Sequence, residues 1–170
     1  MSSVETSDAT RLQAWLDKSE LAELLAVLAS AVDRGDRESI GACYAEDSYD
    51  DHGVFKGSGR EFADYVCAPS SDPPSQRKMH HLLGQSVFDV HGDEAWGETF
   101  FIFHSVDGSD CQSGFGRFID YFQRIDSTWK VKYRRVVPDK TAAGYDSSTY
   151  ASSSRDRSDP LYDHLTWPQP

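Results

Sequence analysis

The fold is decided in the second half of the chain, where residues 116–139 have the sequence GRFIDYFQRIDSTWKVKYRRVVPD. Two stretches rich in aromatic and β-branched residues, 114–125 and 129–137, flank a polar turn at 126–128. Such stretches favour strands, and so short a connection favours antiparallel neighbours. Within the second stretch, WKVKY alternates apolar and charged residues, which is typical of a sheet with one wet face. We therefore predict a hairpin here.

Upstream of the hairpin, two more stretches have strand composition, residues 79–90 and 95–106, again separated by short polar turns. The first half of the chain has helical periodicity instead. Apolar residues recur at intervals of three and four over residues 11–33 and form one stripe on a long helix. Gly35 breaks this pattern, and Asp36 is a suitable N-cap for a short helix that ends at Tyr44.

A third helix is predicted to begin at the capping box Ser58-Gly-Arg-Glu61. We expect polar loops at residues 45–53 and 68–75, with a short strand or turn in VFKG between them. Helices followed by a run of strands indicate an α+β fold. The simplest packing is a cone, in which a strongly curved antiparallel sheet wraps around the helices and encloses a pocket.

Composition sets the broad class. The chain has 170 residues, of which 38% are hydrophobic, enough for one domain with a sizeable core. We place this domain at residues 11–140, between a polar N-terminal tail at 1–10 and a polar C-terminal extension at 141–170. The extension has too few apolar residues for its own core, so we expect it to pack over the domain or over a neighbouring subunit.

Charge and cysteine content exclude several functions. The formal net charge of −11 disfavours binding to nucleic acids and to anionic membrane surfaces. The sequence has no apolar run long enough to span a membrane and no N-terminal secretory pattern, so we expect a cytoplasmic protein. Its three cysteines are odd in number and unpatterned, which argues against a disulfide framework and against a cysteine-based zinc site.

Asp33 is the first candidate for a chemical role. It lies beside the apolar stripe of the first helix and near the C-terminal end of that helix, where an acid is electrostatically disfavoured. An acid placed against both preferences suggests a function. The structural alternative, equally favoured by spacing, is that Asp33 caps the following turn or pairs with an arginine.

His80 and His81 begin an apolar strand, and only one of them can face the interior because adjacent strand residues point to opposite faces. An isolated histidine here would most simply be hydrogen-bonded at a sheet edge. An interior histidine beside an interior aspartate is different, because the carboxylate fixes the imidazole tautomer and raises its basicity. Such a pair is suited to act as a general base.

Several other residues are candidates for lining the pocket. Asp50, Asp51 and His52 form an acidic cluster that could ligate a metal, but no further ligands have suitable spacing. We favour a loop that directs His52 or Tyr49 toward the mouth of the cavity. His104 either lines the pocket or is exposed. At most one of Arg134 and Arg135 points inward, and an inward arginine needs an anionic partner such as Asp33; Arg117 and Asp120 are expected at the surface or at a sheet edge.

Four segments together resemble the SnoaL-like, scytalone dehydratase-like branch of the nuclear transport factor 2 superfamily. They are residues 31–57, the run MHHLLGQ at 79–85, GDEAWGETFF at 92–101, and residues 116–139. The resemblance implies an NTF2-like cone with an Asp–His catalytic pair. Counting back from the Gly92 turn without a gap, His80 takes the catalytic histidine position, and Asp33 takes that of the aspartate. Arg134 falls at an active-site arginine of one branch member, and His52 falls near a substrate-binding tyrosine.

The resemblance implies a cofactor-independent dehydratase or isomerase, in which Asp33 and His80 move a proton on a hydrophobic substrate bearing a carbonyl or hydroxyl group. His52, Tyr49, His81, His104 and Arg134 would bind substrate or line its pocket, without a metal. Three alternatives stay open, since one fold hosts many functions: a non-catalytic ligand-binding module, a polyketide cyclase, and an accessory subunit like those of ring dioxygenases. The resemblance also implies a homodimer or homotrimer.

Overall fold

A computed structural model describes residues 7–68, 78–107, 109–141, 148–152, 154 and 156–165. The elements follow in chain order: α1 (Asp8–Arg34), α2 (Arg37–Cys43), β1 (Tyr44–Asp51), β2 (Lys56–Gly57), α3 (Gly59–Cys67), β3 (Lys78–His91), β4 (Glu94–Asp107), β5 (Asp110–Ile125), β6 (Thr128–Thr141) and a 3₁₀ helix (Pro160–Leu165). The predicted α+β class is confirmed, and one curved sheet lies against three helices.

The long helix α1 begins at Ser7, whose side chain accepts the Thr10 N–H, and ends at Gly35 in the left-handed conformation, φ 64°. The helix predicted over 11–33 is confirmed, and residues 8–10 of the expected tail belong to it. Residues 1–6 of that tail lie outside the described residues. The apolar stripe is buried only from Leu21 onward, and its N-terminal members Leu12 and Trp15 are exposed.

Both shorter helices begin as predicted. The Asp36 side chain accepts the Ser39 N–H at the start of α2, and Ser58 and Glu61 form a reciprocal capping box on α3. The loop predicted over 68–75 lies outside the described residues from residue 69 onward. The two helices pack on each other, and α3 also packs on β1.

The sheet has the strand order β2-β1-β6-β5-β4-β3. The four strands predicted in the second half of the chain are confirmed as antiparallel neighbours. The loop predicted at 45–53 is wrong, because most of it forms β1, which pairs in parallel with β6 and makes the sheet mixed. Polar side chains such as Asp50 and Ser48 are buried on β1 and hydrogen-bonded there, so the composition of this strand resembles that of a loop.

A bulge in β3 decides which side chains face the helices. Leu83 pairs with Phe101 and Ser86 pairs with Thr99, so two residues of β3 lie opposite the single residue Phe100. The extra residue exchanges the two faces of the strand. Phe88 points inward on one side of the bulge, whereas Leu83 packs against the inner core on the other side.

The C-terminal extension packs over the domain. Ala151 and Leu161 lie on the outer face of the sheet, against Ile119 and Val137. This contact is held by Arg117, which donates hydrogen bonds to Glu98, Asp139 and Asp159; among them, the Arg117 Nη2 to Asp159 Oδ2 distance is 2.8 Å. The expectation that Arg117 is a surface or sheet-edge charge is therefore wrong, because β5 is an interior strand and the extension and the acidic side chains bury Arg117.

None of the helices in the described part of the chain combines the length and the apolar character that a membrane span requires.

Candidate active site

The last turn of α1 meets the first residues of β3 in an Asp–His pair. Asp33 Oδ1 lies 2.7 Å from His81 Nδ1, and Asp33 Oδ2 accepts the backbone N–H of His81 at 2.8 Å. Both side chains are mostly buried, with exposed fractions of 15% and 14%. These two bonds fix the carboxylate and the ring, and they leave Nε2 as the imidazole nitrogen available to a ligand.

The electrostatics of Asp33 favour its ionised form. Burial raises the pKa of this carboxyl group, but the hydrogen bonds from the His81 ring and backbone outweigh it, so the pKa lies below its usual value. An ionised Asp33 accepts the proton of His81 Nδ1. With the Nδ1 proton directed at Asp33, Nε2 is the nitrogen that can accept a proton whenever the ring is neutral, as a general base requires.

The prediction that His80 meets Asp33 is wrong about the histidine. His80 is exposed, and it pairs across the strands with His104. Counting back from the Gly92 turn selects His80 only if β3 alternates without interruption, and the bulge opposite Phe100 adds one residue to that count. His81 therefore occupies the inward position.

His81 faces a cavity with a volume of ≈ 260 Å³. Its wall is largely aromatic and aliphatic, and the ring of His81 lies 6.0 Å from that of Phe101 and 6.4 Å from that of Phe118. Residues from α1, α3, the β1–β2 loop, four strands and the C-terminal extension contribute to the wall: Val32, His52, Val54, Phe62, Tyr65, Met79, Phe101, Phe103, Gln112, Phe115, Phe118, Val136, Pro138 and Tyr150. The cavity is thus an apolar chamber with a few polar groups.

A second Asp–His pair faces the same chamber. The Nδ1 atom of His52 is hydrogen-bonded to Oδ1 of Asp50, and the Tyr44 hydroxyl donates to Asp50 Oδ2. Asp50 is completely buried. The ring of His52 stacks on Phe62 with a centroid separation of 4.3 Å, so its orientation is fixed from two sides.

Behind this second pair lies a row of charges across three strands. Asp50 on β1 is in register with Arg134 on β6, which is in register with Asp120 on β5. Arg134 donates from Nε and Nη2 to the two oxygens of Asp120, each at 2.8 Å. Burial raises the pKa of Asp120, and Arg134 opposes that rise. The expectation that Asp120 is a surface or edge charge is wrong.

Three other predicted pocket residues lie elsewhere. Tyr49 stacks on Tyr133 at 5.6 Å, away from the chamber wall, and His104 is exposed beside Cys111. Arg134 does point inward, but its ion-pair partner is Asp120 rather than Asp33, and its guanidinium lies 4.1 Å from the Phe118 ring centre, behind the chamber wall. His52 and His81 are the predicted pocket residues that line the chamber.

The partner of His52 could have been found in the sequence. Residues two apart in a strand lie on the same face, and Asp50 and His52 have this spacing. The Asp120–Arg134 pair carries no comparable signal, because only the register of β5 and β6 brings it together. Tyr44 lies on the same strand as Asp50, but β1 is irregular between Tyr44 and Tyr49, and simple alternation does not indicate their contact. Within the described residues, no group of three or more His, Cys, Asp or Glu side chains is arranged to hold a metal ion.

Fold and site together define a cone-shaped α+β domain with two Asp–His pairs facing an internal chamber. The family model described as a SnoaL-like domain matches residues 13–135. The chain therefore belongs to the SnoaL-like domain family. No curated protein matches the sequence.

Three solved structures show the same fold at low sequence identity. A candidate scytalone dehydratase from Novosphingobium aromaticivorans is 15% identical, with a TM-score of 0.70 over 81% of this chain and 93% of its own. LinA is 18% identical, with a TM-score of 0.68 over 79% and 95%. An NTF2-like protein with a cystatin-like fold, also from N. aromaticivorans, is 19% identical, with a TM-score of 0.64 over 86% and 96%. The expected NTF2-like architecture is thereby confirmed.

Proposed function

We propose that the protein is a cofactor-independent dehydratase or isomerase, in which His81 removes a proton from a carbon next to a carbonyl group. The observation that carries this proposal is the 2.7 Å contact between Asp33 and His81 Nδ1, with the ring of His81 on the wall of an apolar chamber. Membership in the SnoaL-like family and the likeness to a candidate scytalone dehydratase support it.

In this mechanism Asp33 acts through His81. Its carboxylate accepts a hydrogen bond from His81 Nδ1–H, so that Nε2 is left to accept the substrate proton. The same carboxylate stabilises the imidazolium that forms. In a dehydration, the electrons of the broken C–H bond form the new C=C bond, the C–O bond breaks, and the hydroxyl group leaves as water after accepting a proton from a donor in the chamber. In an isomerisation, the proton returns to another carbon. General base catalysis of this kind contributes on the order of 10²–10⁴-fold in rate.

The chamber restricts the substrate class. Its volume of ≈ 260 Å³ lies just below the usual range for small-molecule sites, so we expect a ligand of one or two rings. Aromatic walls favour an apolar body, and the two histidines favour a ligand with two polar groups. A small polyketide-, terpenoid- or steroid-like fragment with one carbonyl and one hydroxyl group has this character.

Proton exchange tests the proposal without knowledge of the natural substrate. The protein is incubated in D₂O with 1-tetralone, and deuterium incorporation beside the carbonyl is followed by NMR. Water loss from cyclic β-hydroxy ketones is followed by enone absorbance. The variant His81→Gln should lower the exchange rate by about 10²–10⁴-fold, whereas the adjacent, exposed His80→Gln is the matched control and should retain it.

The two variants also separate this proposal from the main alternative. If wild type binds the ketone, as seen by line broadening, but exchanges no deuterium above buffer, the protein is a ligand-binding module and the enzymatic proposal is wrong. If His80→Gln removes exchange and His81→Gln does not, the base has been assigned to the wrong histidine.

We further propose that the chain forms a homodimer or homotrimer through the outer face of its sheet. Leu82 and Ile102 are paired on β3 and β4, and each is half exposed or more. An apolar patch of this kind marks an interaction surface. Light scattering after gel filtration should show an oligomer for the wild type and a shift toward monomer for Ile102→Asp.

A further inference from the structure

The interior row of charges beside the chamber is unbalanced. Asp50 and Asp120 are two buried carboxylates, and Arg134 is the guanidinium between them in the strand register. A buried carboxylate without a compensating cation is costly, and burial normally protonates it or draws a cation to it. The environment of each carboxylate shows which of the two occurs.

Asp120 is matched by Arg134. Both of its oxygens accept from the guanidinium at 2.8 Å, in the two-pronged geometry that arginine and carboxylate groups favour. Burial opposes the charge of Arg134, yet the carboxylate of Asp120 raises the pKa of that guanidinium overall. This pair is therefore neutral as a unit, and Arg134 interacts with the charge of Asp50 without bonding to it.

Asp50 is matched by donors rather than by an arginine. The Tyr44 hydroxyl donates to one oxygen and the ring of His52 is bonded to the other. Burial and the charge of Asp50 raise the pKa of Tyr44 well above its usual value, so Tyr44 remains a neutral donor. In the described part of the chain, His52 is the basic side chain in ion-pair contact with Asp50.

We infer that His52 is held by Asp50 as an imidazolium and is the proton donor of the chamber that also holds the acceptor His81. The inference rests on the proposed function for its chemistry, but not for the charge state. With Nδ1 committed to Asp50, the Nε2–H of the imidazolium is free to donate to an oxygen of the ligand.

The proposed reaction then balances within the two pairs. His81 Nε2 takes the proton from carbon, the C–H electrons form the C=C bond, and the C–O bond breaks. The departing hydroxyl takes the proton from His52 Nε2 and leaves as water. His81 has gained one proton and His52 has lost one, so exchange with solvent restores both rings for the next turnover.

Other charged groups near His52 are already matched or neutral. Asp51 accepts the Gly53 N–H at 3.0 Å and lies 3.2 Å from Lys56 Nζ. The elements around His52 carry the following titratable and charged side chains. On the strands they are Tyr44, Asp50, Asp51, Lys56, His81, Asp120 and Arg134; elsewhere they are Tyr65 on α3, Tyr150 of the extension, and Asp33, which is paired with His81. Asp50 is the one of these that bonds the imidazole of His52.

NMR of the uniformly ¹⁵N-labelled protein tests the charge state. At neutral pH, both ring nitrogens of His52 should have the shifts of a protonated imidazolium, and Asp50→Asn should convert the ring to a neutral tautomer. The matched control, Asp51→Asn, changes the neighbouring acid and should leave the cation in place. A neutral His52 in the wild type, or a cation that persists in Asp50→Asn, would overturn the inference.

Binding of 4-nitrophenolate tests the donor role, because the phenol and its anion absorb at different wavelengths. The wild type should bind the anion, and the variants His52→Gln and Asp50→Asn should each bind it about 10–100-fold more weakly, as expected for the loss of one charged hydrogen bond. Asp51→Asn and His80→Gln should bind it like wild type. Unchanged affinity in a folded His52→Gln protein would contradict the donor role.

The two proposals can fail separately. An imidazolium at His52 together with normal exchange in His81→Gln would retain the charge assignment and overturn the catalytic role of His81. A neutral His52 together with lost exchange in His81→Gln would retain the catalytic role of His81 and overturn the charge assignment of His52. Asp50→Asn and Tyr44→Phe should first be checked for folding by circular dichroism, and Tyr44→Phe should leave the imidazolium in place because it removes no charge.

Discussion

The two Asp–His pairs share one chamber but differ in what supports them. Asp33 and His81 are each about one-seventh exposed, and both oxygens of the carboxylate bond to the same histidine. Asp50 is fully buried, and its two oxygens bond to two different residues in front of a second ion pair. One pair is a local contact between a helix end and a strand, whereas the other belongs to a network across the sheet.

Because of this difference, we expect the two carboxylates to differ in how strongly their removal affects folding stability. A carboxylate that serves one histidine can set its tautomer with little consequence for folding. A carboxylate in a buried network also satisfies neighbouring donors, so its removal should affect stability as well as charge. The following substitutions, from the largest expected effect to the smallest, test this contrast.

Asp120→Asn should be the most destabilising change. It leaves the buried guanidinium of Arg134 without its charged partner, which costs about 3–5 kcal/mol in free energy of unfolding. Urea denaturation followed by tryptophan fluorescence measures this loss. A cost below about 1 kcal/mol would show that Arg134 is compensated by Asp50 instead, and that the two buried carboxylates are not distinct.

Asp50→Asn should lower the free energy of unfolding by about 1–3 kcal/mol, because it weakens two hydrogen bonds to a fully buried group. Asp33→Asn should cost less than this. Thermal melts of the two variants, measured side by side, test the order. Equal losses of stability would indicate that the two Asp–His pairs contribute equally to the folded state.

Asp33→Asn should instead reduce the deuterium exchange rate of 1-tetralone by about 10–100-fold, as for other carboxylates that orient a functional histidine. Because Asp33 acts through His81, combining it with His81→Gln should add little further loss. Additive losses in the double variant would mean that Asp33 contributes independently of the histidine.

Asp159→Asn should have the smallest effect, about 1–2 kcal/mol, because it removes one of three carboxylates from Arg117. Burial raises the pKa of Asp159, but Arg117 outweighs it and lowers this pKa to about 2. The stabilisation should be complete above about pH 4, where the unfolded chain is also ionised, and lost as the pH falls toward 2. The gap between wild type and variant should therefore close in that range.

The same extension brings Tyr150 to the chamber, where its ring packs against Gly53 next to His52. A side chain at position 53 would collide with that ring at 2.6 Å, and the backbone there has φ 68°. Loosening the extension should therefore open the His52 side of the chamber before the His81 side. The test is the quenching by acrylamide of a fluorescent ligand bound in the chamber, measured in wild type and in Asp159→Asn.

Much of this architecture could be predicted from the sequence. Periodicity gave the helices and the four long strands, because apolar side chains must share a face to be buried. The parallel strand β1 could not be predicted in this way. Its buried positions include the polar residues Ser48 and Asp50, which are buried with hydrogen bonds rather than by apolar packing, and polarity alone predicts a loop there.

The site is harder to predict from the sequence, because it depends on the alternation and pairing of the strands. Asp33 could be singled out because it lies against the preferences of a helix end. The choice between His80 and His81 depends on a bulge of one residue, and neither periodicity nor turn chemistry locates that bulge, although Gly84 lies within it. Arg134 was expected inward, and only the pairing of β5 with β6 identifies Asp120 as its partner.

The most direct test of the central claim is the tautomer of His81 when that ring is neutral, measured by ¹⁵N NMR in wild type and in Asp33→Asn. We expect the proton on Nδ1 in the wild type, with a bare Nε2 toward the chamber, and a mixture of tautomers in the variant. A wild-type ring with its proton on Nε2 would leave no acceptor for a substrate proton, and it would contradict the account.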